Sequence, residues 1–143
     1  MKELHMALLD FWSGFAWNGQ PVPAFPSGRV PENQEFPYIT FDVVQGSFFS
    51  VAFPAAFVWC QAPKDGSYNV QAQRAEIMDL IAKAIPESGR LLRFDGGMIK
   101  MERNEGNFLS YYDPEDENDS AEQPTGEPVI GGKISLSVRF YVC

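Results

Sequence analysis

The chain is poor in the side chains on which most chemistry depends. Its 143 residues include one histidine, His5, and two cysteines, Cys60 and Cys143. A zinc centre has no ligand spacing to use, and a disulfide framework has too few thiols. Cys60 closes the apolar run from Ala55 and reads as a small buried hydrophobe, which fits a reducing compartment. Basic charge is also scarce: eleven Lys and Arg face nineteen Asp and Glu, a net charge of -8. Such a balance repels a phosphate backbone and an anionic membrane alike, so sequence-specific nucleic-acid binding and membrane attachment are not expected. The longest apolar stretch, Phe48 to Cys60, is too short to span a bilayer as a helix and contains Pro54. The segment from Met1 to Phe15 carries Glu3 and Asp10 and has no cleavage-site pattern, so the expectation is a soluble, non-secreted protein without cofactors.

What the chain does have is apolar and aromatic bulk. Hydrophobic residues make up 45% and aromatics 14%, enough to build one core across a single domain, residues 1–143. Leu4, Leu8, Phe11, Trp12 and Phe15 recur at helical spacing, and the helix should stop between Gly14 and Gly19. Five of the eleven prolines fall between positions 21 and 37, which predicts an extended connector packed along the surface. Tyr38 to Val44 and Phe48 to Gln61 read as strands, the second bulged or at an edge because of Pro54. A second helix starts near Asn69, capped by Asn69 or Ser67 and closed by Pro86 and Gly89. Its apolar stripe is Val70, Ile77, Met78, Ile81 and Ile85, with Gln73, Arg74, Glu76, Asp79 and Lys83 facing away.

The last third returns to strands. Arg90 to Phe94 and Met98 to Arg103 make a hairpin about Asp95-Gly96-Gly97, Phe108 to Tyr112 follows, and Lys133 to Val142 closes the chain with its even-numbered residues apolar. The expected fold class is α+β: a mainly antiparallel sheet of about five strands with two helices on one face. Phe11, Trp12, Ile77, Met78, Ile81, Leu136, Val138 and Phe140 are the expected core. Between the last strands, Asp113 to Pro128 holds Asp113, Glu115, Asp116, Glu117, Asp119, Glu122 and Glu127 and no basic residue. Those seven carboxylates account for almost the whole net charge and predict an exposed, mobile interaction segment.

No catalytic constellation stands out. His5 reads as an exposed helix residue with no nucleophile motif beside it. Gly131-Gly132-Lys133 departs from a phosphate loop, with Glu127 where a glycine belongs and Ile134 where Ser or Thr belongs. The acidic segment has Asn118 at the position where a calcium loop needs glycine. Phe48, Phe49, Phe53, Phe57 and Trp59 read as core, since no basic residues interleave with them as on a base-stacking platform. No metal ligand, cofactor site or catalytic residue is assigned, and the chain is expected not to be an enzyme. A small hydrolase with paired carboxylates remains the alternative of a different class.

The order helix, Pro-rich connector, strand pair, helix, hairpin, acidic loop, final strand resembles the tail terminator (tail completion) proteins from the neck of tailed bacteriophages and prophages. The residues that carry the resemblance are Pro31 to Phe41, Phe57-Val58-Trp59-Cys60, Gly89 to Gly97 and the closing alternating strand. The resemblance implies a structural virion protein at the neck or tail, assembled in the host cytoplasm. It implies a homo-oligomeric, commonly hexameric ring that caps the tail tube and meets the head-tail connector, with DNA passing through it. A head-closure or other neck protein of the same virion is the nearest alternative. In such a ring the segment from Asp113 to Glu127 is expected to face the channel or the mating surface, repelling DNA and ordering against a basic neighbour.

Overall fold

The fold is described from a computed structural model of the chain, over residues 2–44, 51–113 and 129–142. Helix α1 (Lys2–Trp12) buries Leu4, Leu8 and Trp12, one residue per turn on a single face. Its end leads into a ribbon of two short strands, β1 (Ala16–Trp17) and β2 (Gln20–Pro21). Asn18 and Gly19 form the turn with φ of 51° and 79°, the left-handed geometry that a two-residue hairpin requires. The Pro-rich connector then contributes β3 (Ala24–Pro26), and β4 (Tyr38–Phe41), β5 (Val51–Ala52) and β6 (Ala55–Gln61) follow.

Helix α2 (Val70–Ala84) starts at Asn69, whose side chain accepts from the Ala72 N–H at 3.0 Å. Its far end is closed from outside the helix. Arg103 donates from Nε to the Ile85 carbonyl and from Nη2 to the Ala82 carbonyl, both at 2.8 Å, placing a cation where the helix dipole is negative. The remaining strands are β7 (Arg90–Phe94), β8 (Gly97–Arg103), β9 (Leu109–Tyr112) and β10 (Val129–Val142).

The sheet corrects the expectation of a mainly antiparallel, five-stranded α+β fold. The described residues are 41% strand and 22% helix, so the protein is mostly β, with a curled eight-stranded mixed sheet. The order is β3-β4-β6-β10-β8-β7, with β5 and β9 also paired to β10. Two causes separate expectation from outcome. The connector supplies β3, which pairs parallel with β4 at the sheet's edge, where Pro26 leaves no ladder donor missing. The final strand is also longer than expected, beginning at Val129, and pairs along both sides. Its first half lies between β6 and β9, and its second half between β8 and β5.

Register assigns the faces. Ile130, Ile134, Leu136, Val138 and Phe140 of β10 share one face with Ala56, Val58 and Cys60 of β6, Ile39 and Phe41 of β4, and Ile99 and Met101 of β8. All of them are buried. Both helices cover this face, α1 against β3 and β7, α2 against β6 and β10. Trp12, Ile77, Met78 and Ile81 complete the core, and Phe11 packs against it from a half-buried position. The glycine pair Gly131-Gly132 lies within β10, not in a phosphate-like loop. A Cβ on Gly132 would collide with the Met78 side chain, and one on Gly131 would sit 3.0 Å from the Trp59 ring on the opposite face. Side chains on both sides of the sheet close over backbone that only glycine leaves bare.

Truncation at the centre of this core should leave unrelaxed cavities. Ile81→Ala and Phe140→Ala are each expected to lower unfolding free energy by about 2–5 kcal/mol in urea titrations, and losses below about 1 kcal/mol at both sites would contradict the packing.

Candidate functional site

Of the seven carboxylates singled out in the sequence, Asp113 falls within the described residues, while Glu115, Asp116, Glu117, Asp119, Glu122 and Glu127 lie outside them. Asp113 is held by Arg74 of α2, whose Nη1 donates to Asp113 Oδ1 at 2.7 Å. The same nitrogen donates to the carbonyls of Tyr112 at 3.3 Å and Gly131 at 3.2 Å, and the guanidinium lies 4.4 Å from the centre of the Tyr111 ring. One buried cation therefore ties α2 to β9, to β10 and to the start of the acidic segment. Arg74, expected to face solvent, is 6% exposed. Its neighbour Gln73, also expected outside, is 1% exposed. Helical spacing places both on the stripe of Val70, Ile77 and Ile81, so period and not polarity decides which way they face.

Gln73 marks a second feature. Its Nε2 and Oε1 are buried without a hydrogen-bond partner in the protein. It lines a cleft of about 360 Å³ between α2, the β1–β2 ribbon and the segment from Gln34 to Pro37. Trp17 and Tyr68 form one wall, edge to face with ring centres 5.2 Å apart. Their polar tips are engaged elsewhere: Trp17 Nε1 donates to Glu76 at 2.7 Å, and the Tyr68 hydroxyl donates to the Gln61 carbonyl at 3.1 Å. The connector, expected only to run along the surface, thus builds the opposite side of the cleft. The sequence signals for this were the Asn18-Gly19 turn and the helical position of Gln73.

A third feature is the sheet face without helices. Phe57 and Trp59, expected in the core, point outward here, stacked at 5.5 Å, with Trp59 Nε1 donating to Thr40 at 3.0 Å. Phe53 is 72% exposed, and Phe48 and Phe49 lie outside the described residues. Towards the other end of this face, register aligns Leu91, Lys100, Arg139 and Val51 in one row across β7, β8, β10 and β5. Arg93, Met98 and Tyr141 form the adjacent row. Lys100 and Arg139 are directly opposite, a like-charge pairing that destabilises a sheet, and Glu102 relieves it only through a 3.6 Å contact with Arg139.

Two further candidates, Cys60 and His5, lie apart from these features. Cys60 is buried in the core, and burial pushes its thiol up to about 12 against the opposing pull of Arg74. His5, expected exposed, is half-buried with Nε2 unpartnered. Among the described residues no group of three or more His, Cys, Asp or Glu could hold a metal ion, and no helix is long and apolar enough to cross a membrane. Comparison of the chain with protein-family models, curated proteins and solved structures finds no match.

The Cys60 thiol gives a pH prediction. Its folded pKa lies above the ordinary value of 9.0, so the folded state keeps the proton that the unfolded chain releases. This contribution is intact below pH 9 and is lost as pH rises towards about 12. In a Cys143→Ser background, denaturant midpoints should fall over that range more steeply than in the Cys60→Ala variant, and native Cys60 should resist a thiol reagent at pH 8. Separately, Arg74→Met should cost about 3 kcal/mol in urea, because it removes the buried charge-assisted bonds to the Tyr112 and Gly131 carbonyls and leaves the Asp113 carboxylate without its cation.

Proposed function

We propose that the chain is a structural, non-catalytic subunit of a homo-oligomeric ring at the neck of a phage or prophage tail, a tail terminator that caps the tail tube and joins it to the head connector. The observation that carries the reading is the outward row of Leu91, Lys100, Arg139 and Val51, which gathers exposed apolar groups around two opposed cations in a protein of net charge -8. Two like charges set face to face favour an anionic partner that neutralises both. The chain carries such chemistry in its own sequence, seven carboxylates between Asp113 and Glu127.

A contact between a basic face on one copy and an acidic segment on the next uses two different surfaces of the same molecule. Made once per interface, it is heterologous, and heterologous contacts close into rings when the rotation between copies permits. The element order behind the family resemblance supports the same reading: α1, connector, β4 and β6, α2, the β7–β8 hairpin and β10 follow one another along the chain. The aromatic half of the same face, with the half-buried Phe57 and Trp59, would supply apolar area for the contact.

The test is zero-length carbodiimide cross-linking of a concentrated one-to-one mixture of isotopically light and heavy protein. Mixed-isotope cross-links are expected between Lys100 or Lys133 and carboxylates of residues 113–127, together with a closed ring in electron micrographs. Lys100→Glu with Arg139→Glu should abolish both, and about 1 M salt, where the Debye length is about 3 Å, should weaken them. Cross-links confined to single copies, or assembly indifferent to the double charge reversal, would refute the contact.

A further inference from the structure

We propose that the cleft between α2, the β1–β2 ribbon and the segment from Gln34 to Pro37 is a binding site for an extended peptide of neutral or basic charge, one amide of which pairs with the side chain of Gln73. The proposal does not depend on the ring reading.

The Gln73 carboxamide is the reason to look for a ligand. Buried polar groups in folded proteins are almost always hydrogen-bonded, and leaving one unpaired costs about 1–3 kcal/mol. Here a donor and an acceptor on one side chain are both unpaired, at 1% exposure, on a residue that lines an open cleft. The complementary group must present an acceptor and a donor side by side. An amide does so, whether a peptide bond or an Asn or Gln side chain. A carboxylate satisfies the donor alone, and an ammonium the acceptor alone.

The rest of the lining matches a peptide. Asn18, Gln20 and Gln34 add three more carboxamides, each able to meet backbone N–H and C=O groups. Glu35 is the lining's one charged residue, and with the net charge of -8 it disfavours an acidic ligand. The walls are apolar and conformationally restricted, with Pro21, Pro23 and Pro37 lining the cleft together with Trp17 and Tyr68, whose rings are held by their hydrogen bonds to Glu76 and Gln61. Walls of aromatic and proline side chains accept extended, polyproline-like segments because neither partner loses much freedom on docking. The cleft volume, about 360 Å³, falls within the range of roughly 300–1,000 Å³ usual for ligand sites.

The experiment titrates the full-length, ¹⁵N-labelled protein with the capped peptide acetyl-Pro-Gln-Pro-amide. The signals followed are the Trp17 indole N–H, assigned with Trp17→Phe, and the Gln73 side-chain amide. Saturable shifts at both are expected, with acetyl-Pro-Glu-Pro-amide at least about tenfold weaker. Gln73→Leu should lose the binding while melting at the same or a higher temperature, since it replaces an unpaired buried amide with an apolar group of similar shape. Glu35→Lys, at an exposed position, should reverse the preference between the two peptides. The proposal is overturned if Gln73→Leu binds as well as the unaltered protein. It is equally overturned if cellobiose shifts these signals and the peptides do not, or if neither peptide shifts them at millimolar concentration.

Discussion

The fold depends on one strand that finds partners on both of its sides, four strands in all. β10 is 14 residues long, and from Ile134 to Tyr141 apolar and polar side chains alternate without a break. Because a shift of one residue would carry the entire apolar set to the other face, the alternation fixes register against four neighbouring strands at once. The flanking segments break where β10 passes from one set of partners to the next: β5 and β6 are separated at Phe53-Pro54, and β8 and β9 at the turn through Gly106. At that crossing the Ser135 N–H donates to the Phe108 carbonyl at 2.8 Å, and the Leu136 N–H donates to the Pro54 carbonyl at 3.0 Å. The backbone groups that the flanking breaks would leave unpaired on β10 are satisfied by the loops themselves.

That strand also determines where polar groups are buried. Gly131 and Gly132 remove side chains from its first half, so Met78 closes over one face and Trp59 over the other. α2 consequently approaches β10 closely enough for Arg74 to reach the Gly131 carbonyl, and the same cation holds Asp113 where the acidic segment begins. At the opposite end of α2, Arg103 of β8 takes the last carbonyls while lying 4.6 Å from the Phe108 ring. Two arginines from different elements thus clamp one helix at its two ends. Both work through charge-assisted bonds to backbone carbonyls, which makes their geometry specific as well as strong.

The sequence disclosed the core more fully than the site. Periodicity was sufficient for Leu4, Leu8 and Trp12, for Ile77, Met78 and Ile81, and for Ile134, Leu136, Val138 and Phe140 of β10, because burial there follows one spacing rule with apolar side chains. It failed where polarity and period disagreed. Gln73 and Arg74 occupy buried helical positions, and reading them by side-chain type alone turns them outward. Strand count failed for a different reason: β3 and the parallel pairing it makes with β4 come from a connector whose prolines argue against a strand, except at an edge. The β1–β2 ribbon was missed although Asn18-Gly19 is a hairpin-turn pair, because its strands are two residues each, too short for any alternation to show. Outward aromatics were illegible because Phe57 and Trp59 have the composition of core residues, and only the pairing of Gly131 and Gly132 with Trp59 and Val58 tells which face they take.

Charge is the remaining asymmetry. Opposed on one sheet face, Lys100 and Arg139 cost the isolated fold some stability that a Lys–Glu or Thr–Thr pair at the same register would not. Exposed apolar neighbours at Val51, Leu91 and Tyr141 add a second departure from an inert surface. Hydrophobic groups alone would associate without orientation, whereas cations alone would be held in water by their hydration. Placed in two adjacent rows on one sheet, the two together would, in the proposed ring, select an anionic partner and the angle of its approach. The aromatic half of the same face has no such charge pattern, since Lys133 lies 6.0 Å over the Phe57 ring and its cation is partly engaged there. The two halves of one continuous surface therefore differ in charge pattern, and in the proposed ring that difference, more than the strength of any single contact, would orient a docking copy.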